Sequence, residues 1–351
     1  GTSILVNDGL IELKAEKIDD TDIVCRVING GIISDRKAIN VPGVHLSLPF
    51  LSDVDRRDLE FAMKTGFDFF ALSFVRCAED VLEVRRLQKE HNNTSKLIAK
   101  IESQEGVENL DAIIDVADGI MVARGDMGVE IPFEKVPVVQ KDMISKCLKS
   151  GKFVIVATQM LESMTHNPRP TRAEVNDVAN AIFDQTSAVM LSGESAAGDY
   201  PVEAVKTMSR ICHEIEKTTT TGKFEITYNG SNLASSIACA ACSIASVINA
   251  DAIIPVSLSG STIRKVSGFR PNINIIGCST NERVCRETSL MWGVTPVLIT
   301  EQEDGEALIN EVINKCKTAG VIKSGNRVVI VAGFPLRIAG ATNMIRVVDV
   351  D

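Results

Sequence analysis

Two short stretches of this chain end an apolar run in charge. The first is Ile98-Ala99-Lys100-Ile101-Glu102, and the second is Gly119-Ile120-Met121-Val122-Ala123-Arg124-Gly125-Asp126. Lys100 and Glu102 stand two residues apart, so in a strand both point to the same side. Asp126 lies just past the next apolar run, where a neighbouring strand would end. An ammonium and two carboxylates at the mouths of adjacent buried strands have the makings of a site for a divalent metal and a phosphate. Oxygen-only ligation by Glu102 and Asp126 suits Mg²⁺ or Mn²⁺, which take one or two carboxylates and leave the other positions to water and substrate. Lys100 beside such an ion would neutralise charge on a phosphoryl group in flight. The plainer alternative is a lysine–glutamate ion pair that closes a strand end.

Further polar groups recur where apolar runs stop: Ser73, Thr158, and the pair Ser192 and Glu194. Ser73 would touch a bound anion or simply close its strand. Thr158 would donate to a substrate, relay a proton or cap a helix. Ser192 and Glu194 read either as a proton path or as a cap. Gly125 permits close approach of the backbone to a ligand, and it equally suits an ordinary turn. Ser257, Ser259, Gly260, Ser261 and Thr262 follow an apolar run and open a helical pattern, a combination that fits a phosphate site or a plain capped helix. The four histidines are isolated, and the one Cys-x-x-Cys spacing, Cys239 to Cys242, lies in an Ala-rich helical pattern with no second pair elsewhere, so zinc is not expected and the thiols read as reduced core residues of a cytoplasmic protein.

The elements that must carry these groups emerge from periodicity. Residues 1–43 show no helical period; hairpin signals at Asn7-Asp8-Gly9 and Asn29-Gly30-Gly31 make them a small β module. From about residue 50, apolar runs alternate with amphipathic segments. Strands are expected at 67–74, 96–101, 119–123, 153–157 and 187–191. Helices follow over 79–90, around Val107 to Ile114, around Val139 to Cys147, from Thr171, where Thr171-Arg172-Ala173-Glu174 reads as a capping box, and over 201–217. Near-continuous apolar strands between helices mean a parallel sheet covered on both faces. Polar groups at successive strand ends favour a (β/α) barrel, or TIM barrel, over a doubly wound sheet, which gathers its site at one switch point. Five strands fall short of the eight that close such a barrel. After a Thr-rich break at Thr218 to Gly222, a second α/β domain follows, its strands separated by helical patterns. The expected architecture is therefore α/β: a β segment over 1–43, a partial barrel over 44–217, and a C-terminal α/β domain over 218–351.

Net charge is -9, which excludes a general nucleic-acid or acidic-membrane surface. No apolar run reaches membrane-spanning length.

These clusters, in this order, resemble the pyruvate kinase family. The likeness covers essentially the whole chain and is strongest from Ile98 to Ala204, where Lys100-Ile101-Glu102 and Ile120 to Asp126 are followed by Ala157-Thr158-Gln159-Met160-Leu161-Glu162-Ser163-Met164. Pro168 to Glu174 and Met190 to Ser195 continue it. The resemblance implies phosphoryl transfer from phosphoenolpyruvate to ADP, giving pyruvate and ATP in glycolysis. It makes Glu102 and Asp126 metal ligands and Lys100 the stabiliser of the transferring group. Ser73, Gly125, Asp126 and Thr158 become substrate contacts. Thr158, an ordered water or the Ser192–Glu194 region would protonate the enolate. Residues 1–43 look like part of a mobile lid, with Asp8, Arg36 and Lys37 reaching the nucleotide. Ser257 to Thr262 match a loop that holds a sugar-phosphate effector in some members, and Gly333 to Thr342 match the loop that folds over it, although Phe334-Pro335-Leu336 departs from the pattern of effector-sensitive members. A homotetramer is implied. The family's leading barrel segment, with three strands and the K⁺ ligands, has no counterpart here. The chain is thus expected to be a fragment or a shortened product, inactive by itself. Two other readings remain at this point: a metal-dependent aldolase or lyase with similar enolate chemistry, and a non-catalytic binding module.

Overall fold

The computed structural model describes residues 1–218 and 232–351, apart from Arg36, Leu46, Arg337 and Ala339. The chain forms two compact units, Gly1–Cys212 and His213–Asp351. Beyond Thr218, the expected polar break lies outside the described residues.

The first unit opens with β1 (Ser3–Val6), β2 (Ile11–Ile18), β3 (Ile23–Asn29) and β4 (Ile39–Asn40), an antiparallel sheet in the order β3-β2-β1-β4. The turn between β1 and β2 needs left-handed backbone, and Asn7, Asp8 and Gly9 supply it with φ of 56°, 55° and 79°. The second expected hairpin, at Asn29-Gly30-Gly31, is absent. Instead β3 turns back on β2 through Asp19 to Asp22, where the Asp19 N–H donates to the Asp22 carbonyl at 2.8 Å. After Asn29 the chain crosses to the far edge and pairs with β1. A short turn of aspartates and a threonine closes that hairpin, and the Gly-Gly pair serves a crossover.

The barrel region comes next: α1 (Asp53–Thr65), β5 (Phe69–Leu72), α2 (Ala78–Glu90), β6 (Lys96–Ile101), α3 (Gln104–Glu108) and α4 (Leu110–Val116). It continues with β7 (Gly119–Ala123), α5 (Arg124–Glu130), α6 (Val136–Lys149), β8 (Phe153–Ala157), α7 (Arg172–Phe183), β9 (Ala188–Val189), α8 (Gly193–Ala196) and α9 (Pro201–Thr218). The five strands pair in parallel in their sequence order, β5-β6-β7-β8-β9. Every crossover therefore runs the same way round, as in a barrel wall, and the sheet nowhere reverses to make a switch point. Among the described residues β5 and β9 each pair on one side only, so the wall is open.

The central strands sit at their expected positions because they are buried on both faces. Leu97, Ile101, Ile120, Val122, Val154 and Val156 are wholly shielded from solvent. Gly119 opens β7 opposite Phe153 in the register, and a Cβ there would meet the Phe153 ring at 2.1 Å. Glycine thus lets the aromatic ring lie flat across the neighbouring strand. The outer strands are shorter than expected. β5 ends at Leu72 because Phe74 turns left-handed, with φ of 52°. β9 keeps two residues, held from one side. The helix expected around Val107 to Ile114 breaks in two at Asn109. Six of the nine cysteines are buried, whereas Cys25, Cys77 and Cys212 are only half-buried. Burial pushes the Cys147 thiol up to about 12, which keeps it protonated and inert.

Periodicity gives no sign of α5. This helix starts directly at the end of β7 and carries Gly125 and Asp126. Its last residue, Glu130, accepts a hydrogen bond from the Asn40 side chain of β4 at 2.8 Å.

The Thr171 and Glu174 side chains form the expected capping box on α7. Glu174 also accepts from the Ser163 N–H at 2.7 Å and the Ser163 hydroxyl at 2.6 Å. Burial pushes its carboxyl up, but the hydrogen bonds from Ser163 and Thr171 outweigh that and hold it below its ordinary 4.5. A depressed carboxyl stabilises the fold above its unfolded value and loses that contribution as pH falls through the folded one. Glu174→Gln is therefore expected to lower the melting temperature at pH 7. The gap to the unmodified protein should close as pH drops below 4.5. A gap that stayed constant down to acid pH would show that the charge is not what holds Ser163 and Thr171.

The second unit contains α10 (Leu233–Val247), β10 (Ala252–Pro255), α11 (Ser261–Gly268), β11 (Asn274–Ser279) and α12 (Glu282–Thr288). It continues with β12 (Val294–Leu298), α13 (Gly305–Thr318), β13 (Arg327–Gly333) and β14 (Thr342–Asp349). Its sheet runs β12-β11-β10-β13-β14, so the order reverses beside β10. The last strand departs from expectation: no helix separates β13 from β14 among the described residues, and β14 returns antiparallel. Apolar residues pack on both faces of this sheet.

Candidate active site

The carboxyl ends of β5, β6, β7 and β8 bring the expected side chains together. Lys100 and Glu102 leave the end of β6 on one side, as their spacing requires. The Lys100 ammonium lies 2.8 Å from Glu102 Oε1 and donates to the Ser73 hydroxyl at 2.9 Å. Glu102 is 1% exposed, while a quarter of the Lys100 side chain faces solvent. The second Glu102 oxygen accepts the Phe74 N–H. That amide faces the carboxylate because of the left-handed turn at Phe74. Two contacts hold the Ser73–Arg76 loop there. The Asn109 amide donates to the Arg76 carbonyl at 2.9 Å. Gly106 leaves room for the Val75 carbonyl, which a Cβ would meet at 2.6 Å.

Asp126 sits half-buried in the first turn of α5. Among the described residues its carboxylate accepts no hydrogen bond and joins no ion pair. Burial raises the Glu102 carboxyl above its ordinary range; Lys100 and the Phe74 amide oppose this, and the charge of Asp126 adds to it. The two acids are thus close enough to feel each other. One is buried and shared with an ammonium, and the other is unpaired.

No group of three or more His, Cys, Asp or Glu among the described residues is arranged to hold a metal. Among the described residues the site is therefore not an all-protein cage. The donors do fit an ion that takes two carboxylates and fills its remaining positions from water and substrate. Each Glu102 oxygen has one protein partner and so keeps a lone pair. Asp126 keeps all of its own.

Thr158 follows β8 and lies opposite Gly125. The Gly125 N–H donates to the Thr158 hydroxyl at 2.8 Å, and that hydroxyl donates to the Ala157 carbonyl at 2.6 Å. Ser73, Lys100, Glu102, Gly125, Asp126 and Thr158 therefore occupy one end of one sheet. Glu194 differs. It is fully buried, and its two oxygens accept the Leu161 N–H at 3.0 Å and the Ser192 N–H at 2.7 Å. Those two contacts tie the loop at Leu161 to the loop at Ser192. Asp8 and Lys37 are exposed and make no side-chain hydrogen bond or ion pair among the described residues. Arg36 lies outside them.

Sequence reasoning passed over the Phe74 amide, which has no sequence signature, and the partners of Arg124. Arg124 was legible only as a charge directly after a buried strand. Its side chain is 11% exposed, and its guanidinium pairs with Asp177 at 2.6 Å.

In the second unit, Ser257, Leu258 and Thr262 line a cavity at the carboxyl ends of the strands, beside the point where strand order reverses. Thr342 and Gly333 line its other side. Thr262 and Thr342 share a buried hydrogen bond of 2.7 Å. Ser259, Gly260 and Ser261 are not among the lining residues.

Comparison with known proteins bears on both units. Residues 1–205 match the family model described as pyruvate kinase, barrel domain. The chain belongs to the pyruvate kinase family. Residues 235–348 match the companion model, pyruvate kinase, alpha/beta domain. A pyruvate kinase of Clostridium acetobutylicum is 46% identical over 351 residues, which cover 99% of this chain and 74% of the relative. One of Clostridium perfringens is 45% identical with the same coverage of each chain. One of Staphylococcus aureus is 45% identical and longer, so that 60% of it is covered. Among the described residues no helix is long and apolar enough to cross a membrane.

Proposed function

We propose that the end of this sheet is where the family's reaction takes place, with Lys100, Glu102, Asp126 and Thr158 as its working groups. That reaction is the phosphoryl transfer of glycolysis, from phosphoenolpyruvate to ADP, giving pyruvate and ATP. The observation that carries the assignment is the pairing of a buried Glu102, clasped by Lys100, with an unpartnered Asp126 nearby.

Each residue has a task that its surroundings suit. Glu102 and Asp126 would hold Mg²⁺ or Mn²⁺. The bound ion would supply positive charge where oxyanions of substrate and enolate gather. Lys100 reaches from a buried anchor to a partly open mouth, so its ammonium lies against an incoming phosphoryl group without needing to be ordered first. The Ser73 hydroxyl orients that ammonium. Thr158 offers a hydroxyl beside the Gly125 amide, a polar edge for the substrate carboxylate and a station for a proton. Glu194 acts at one remove, by fixing the loops at Leu161 and Ser192. Asp8, Arg36 and Lys37 remain candidates for the nucleotide. Ser257 to Thr262, beside the cavity of the second unit, remain candidates for a sugar-phosphate effector. Protection of that turn from hydrogen exchange by a sugar bisphosphate would be its signature. Assembly as a tetramer belongs to the same reading, and sedimentation would count the subunits.

The decisive assay, run on the full-length protein that carries a closed barrel, measures pyruvate release from phosphoenolpyruvate with ADP and Mg²⁺ supplied or withheld. Formation of pyruvate and ATP in equal amounts, lost on omitting either ADP or the metal, is expected. Pyruvate formed from oxaloacetate without nucleotide, with none from phosphoenolpyruvate, would favour the lyase and reject the kinase.

A further inference from the structure

We propose that Arg124 is a positioning residue that sets the Thr158 hydroxyl, and that Asp177 holds Arg124 in place. The inference rests on the reading of Thr158 as a substrate contact. The turn after β8 is strained. Thr158 and Gln159 are consecutive residues in the left-handed region, with φ of 67° and 52°. A β-branched side chain is a poor occupant of that region. Conformations of this kind persist only where their surroundings over-determine them.

Arg124 supplies that constraint. Its Nε donates to the Ala157 carbonyl at 3.2 Å, and its Nη2 donates to the Thr158 carbonyl at 2.6 Å. The same Nη2 lies 2.8 Å from Met160 Sδ. One planar fork thus grips the turn before, at and after the strained pair. Nη1 donates to Asp177 Oδ1 at 2.6 Å, from the face of α7. The next residue along, Gly125, points its N–H at the Thr158 hydroxyl. Arg124 and Gly125 are adjacent in the chain, so guanidinium and amide hold the carbonyl and the hydroxyl of one threonine from a single stretch of backbone. Relaxing Thr158 to an extended φ would break this arrangement and turn the hydroxyl away from Gly125. Lysine could not substitute, because its donors radiate from one point and cannot reach three acceptors in a plane.

The test is a double-mutant cycle with an exchange measurement beside it. Arg124→Gln is expected to lower kcat roughly 10- to 100-fold, with KM for phosphoenolpyruvate changed less than about threefold. In a Thr158→Ala background the same change should cost less than about threefold further, because the group it positions is gone. The Gly125 amide lies in the first helical turn and has no intrahelical acceptor, so its hydrogen exchange reports the bond to Thr158. That exchange should speed up at least about tenfold in Arg124→Gln while the core strands stay protected. Asp177→Asn, a gentler change at the rim, should give the same pattern at smaller size and serves if Arg124→Gln does not fold. Multiplicative losses in the cycle, or unchanged exchange at Gly125, would overturn the positioning role. Full turnover in Thr158→Ala alone would instead reject the reading of Thr158 on which it stands, and the exchange result separates the two failures.

Discussion

Replacing Lys100 with methionine is expected to reduce turnover of phosphoenolpyruvate by roughly three orders of magnitude, equivalent to about 4 kcal/mol at the transition state. Methionine keeps most of the apolar stem and removes only the charge. The ammonium has two protein partners, Ser73 and Glu102, and still shows a quarter of its side chain to solvent. It is therefore held in place while remaining available to a ligand. Binding of phosphoenolpyruvate should weaken far less than kcat falls, because a fixed charge acts most strongly where charge is being redistributed. The measurement is steady-state kinetics alongside a thermal melt. The melt guards against a simpler cause, since removing one partner of a buried pair leaves Glu102 unopposed. Turnover within a factor of about three of the unmodified protein would dismiss Lys100 from the chemistry.

The second large effect belongs to the acids. Glu102→Gln retains the shape of the side chain and its contact with the Phe74 amide, but it removes the negative charge. Affinity for Mn²⁺, followed by its paramagnetic signal or by calorimetry, is expected to fall at least about 100-fold, and turnover with it. Asp126→Asn should act in the same direction. The two differ in their effect on stability. Glu102 is buried against an ammonium, so its amide leaves Lys100 without an anion and the melting temperature drops. Asp126 has no partner to abandon, so Asn there should melt no lower than the unmodified protein. Undiminished Mn²⁺ binding in both variants would leave the pair as a structural ion cluster and nothing more.

Legibility in the sequence depended on where each piece of information is stored. β6, β7 and β8 begin and end where an apolar run meets polar residues, because strands buried on both faces admit little else. The capping box at Thr171 was equally plain, since cap and helix are neighbours in the chain. The cluster of Lys100, Glu102 and Asp126 could be read because period two in a strand and the sequential strand order leave few places for those side chains to go. α5 was hidden: seven residues with two glycines give too little length for a helical period to show. The left-handed turns at Phe74 and Thr158 were hidden for a different reason. Neither residue type announces a positive φ, and the groups that enforce it come from other elements. Arg124 and Asp177 lie 53 residues apart, and nothing local in either stretch names the other.

α5 has one more consequence. At seven residues it is too short to bend, so it behaves as a rigid pin set between two parts of the first unit. One end carries Asp126, and the other end, about one turn away, is tied through Glu130 to the small antiparallel sheet. A shift of that sheet that keeps the Asn40–Glu130 bond tilts the pin, and the carboxylate at the opposite end swings with it, so the distance from Asp126 to Glu102 becomes a gauge of where the N-terminal strands stand.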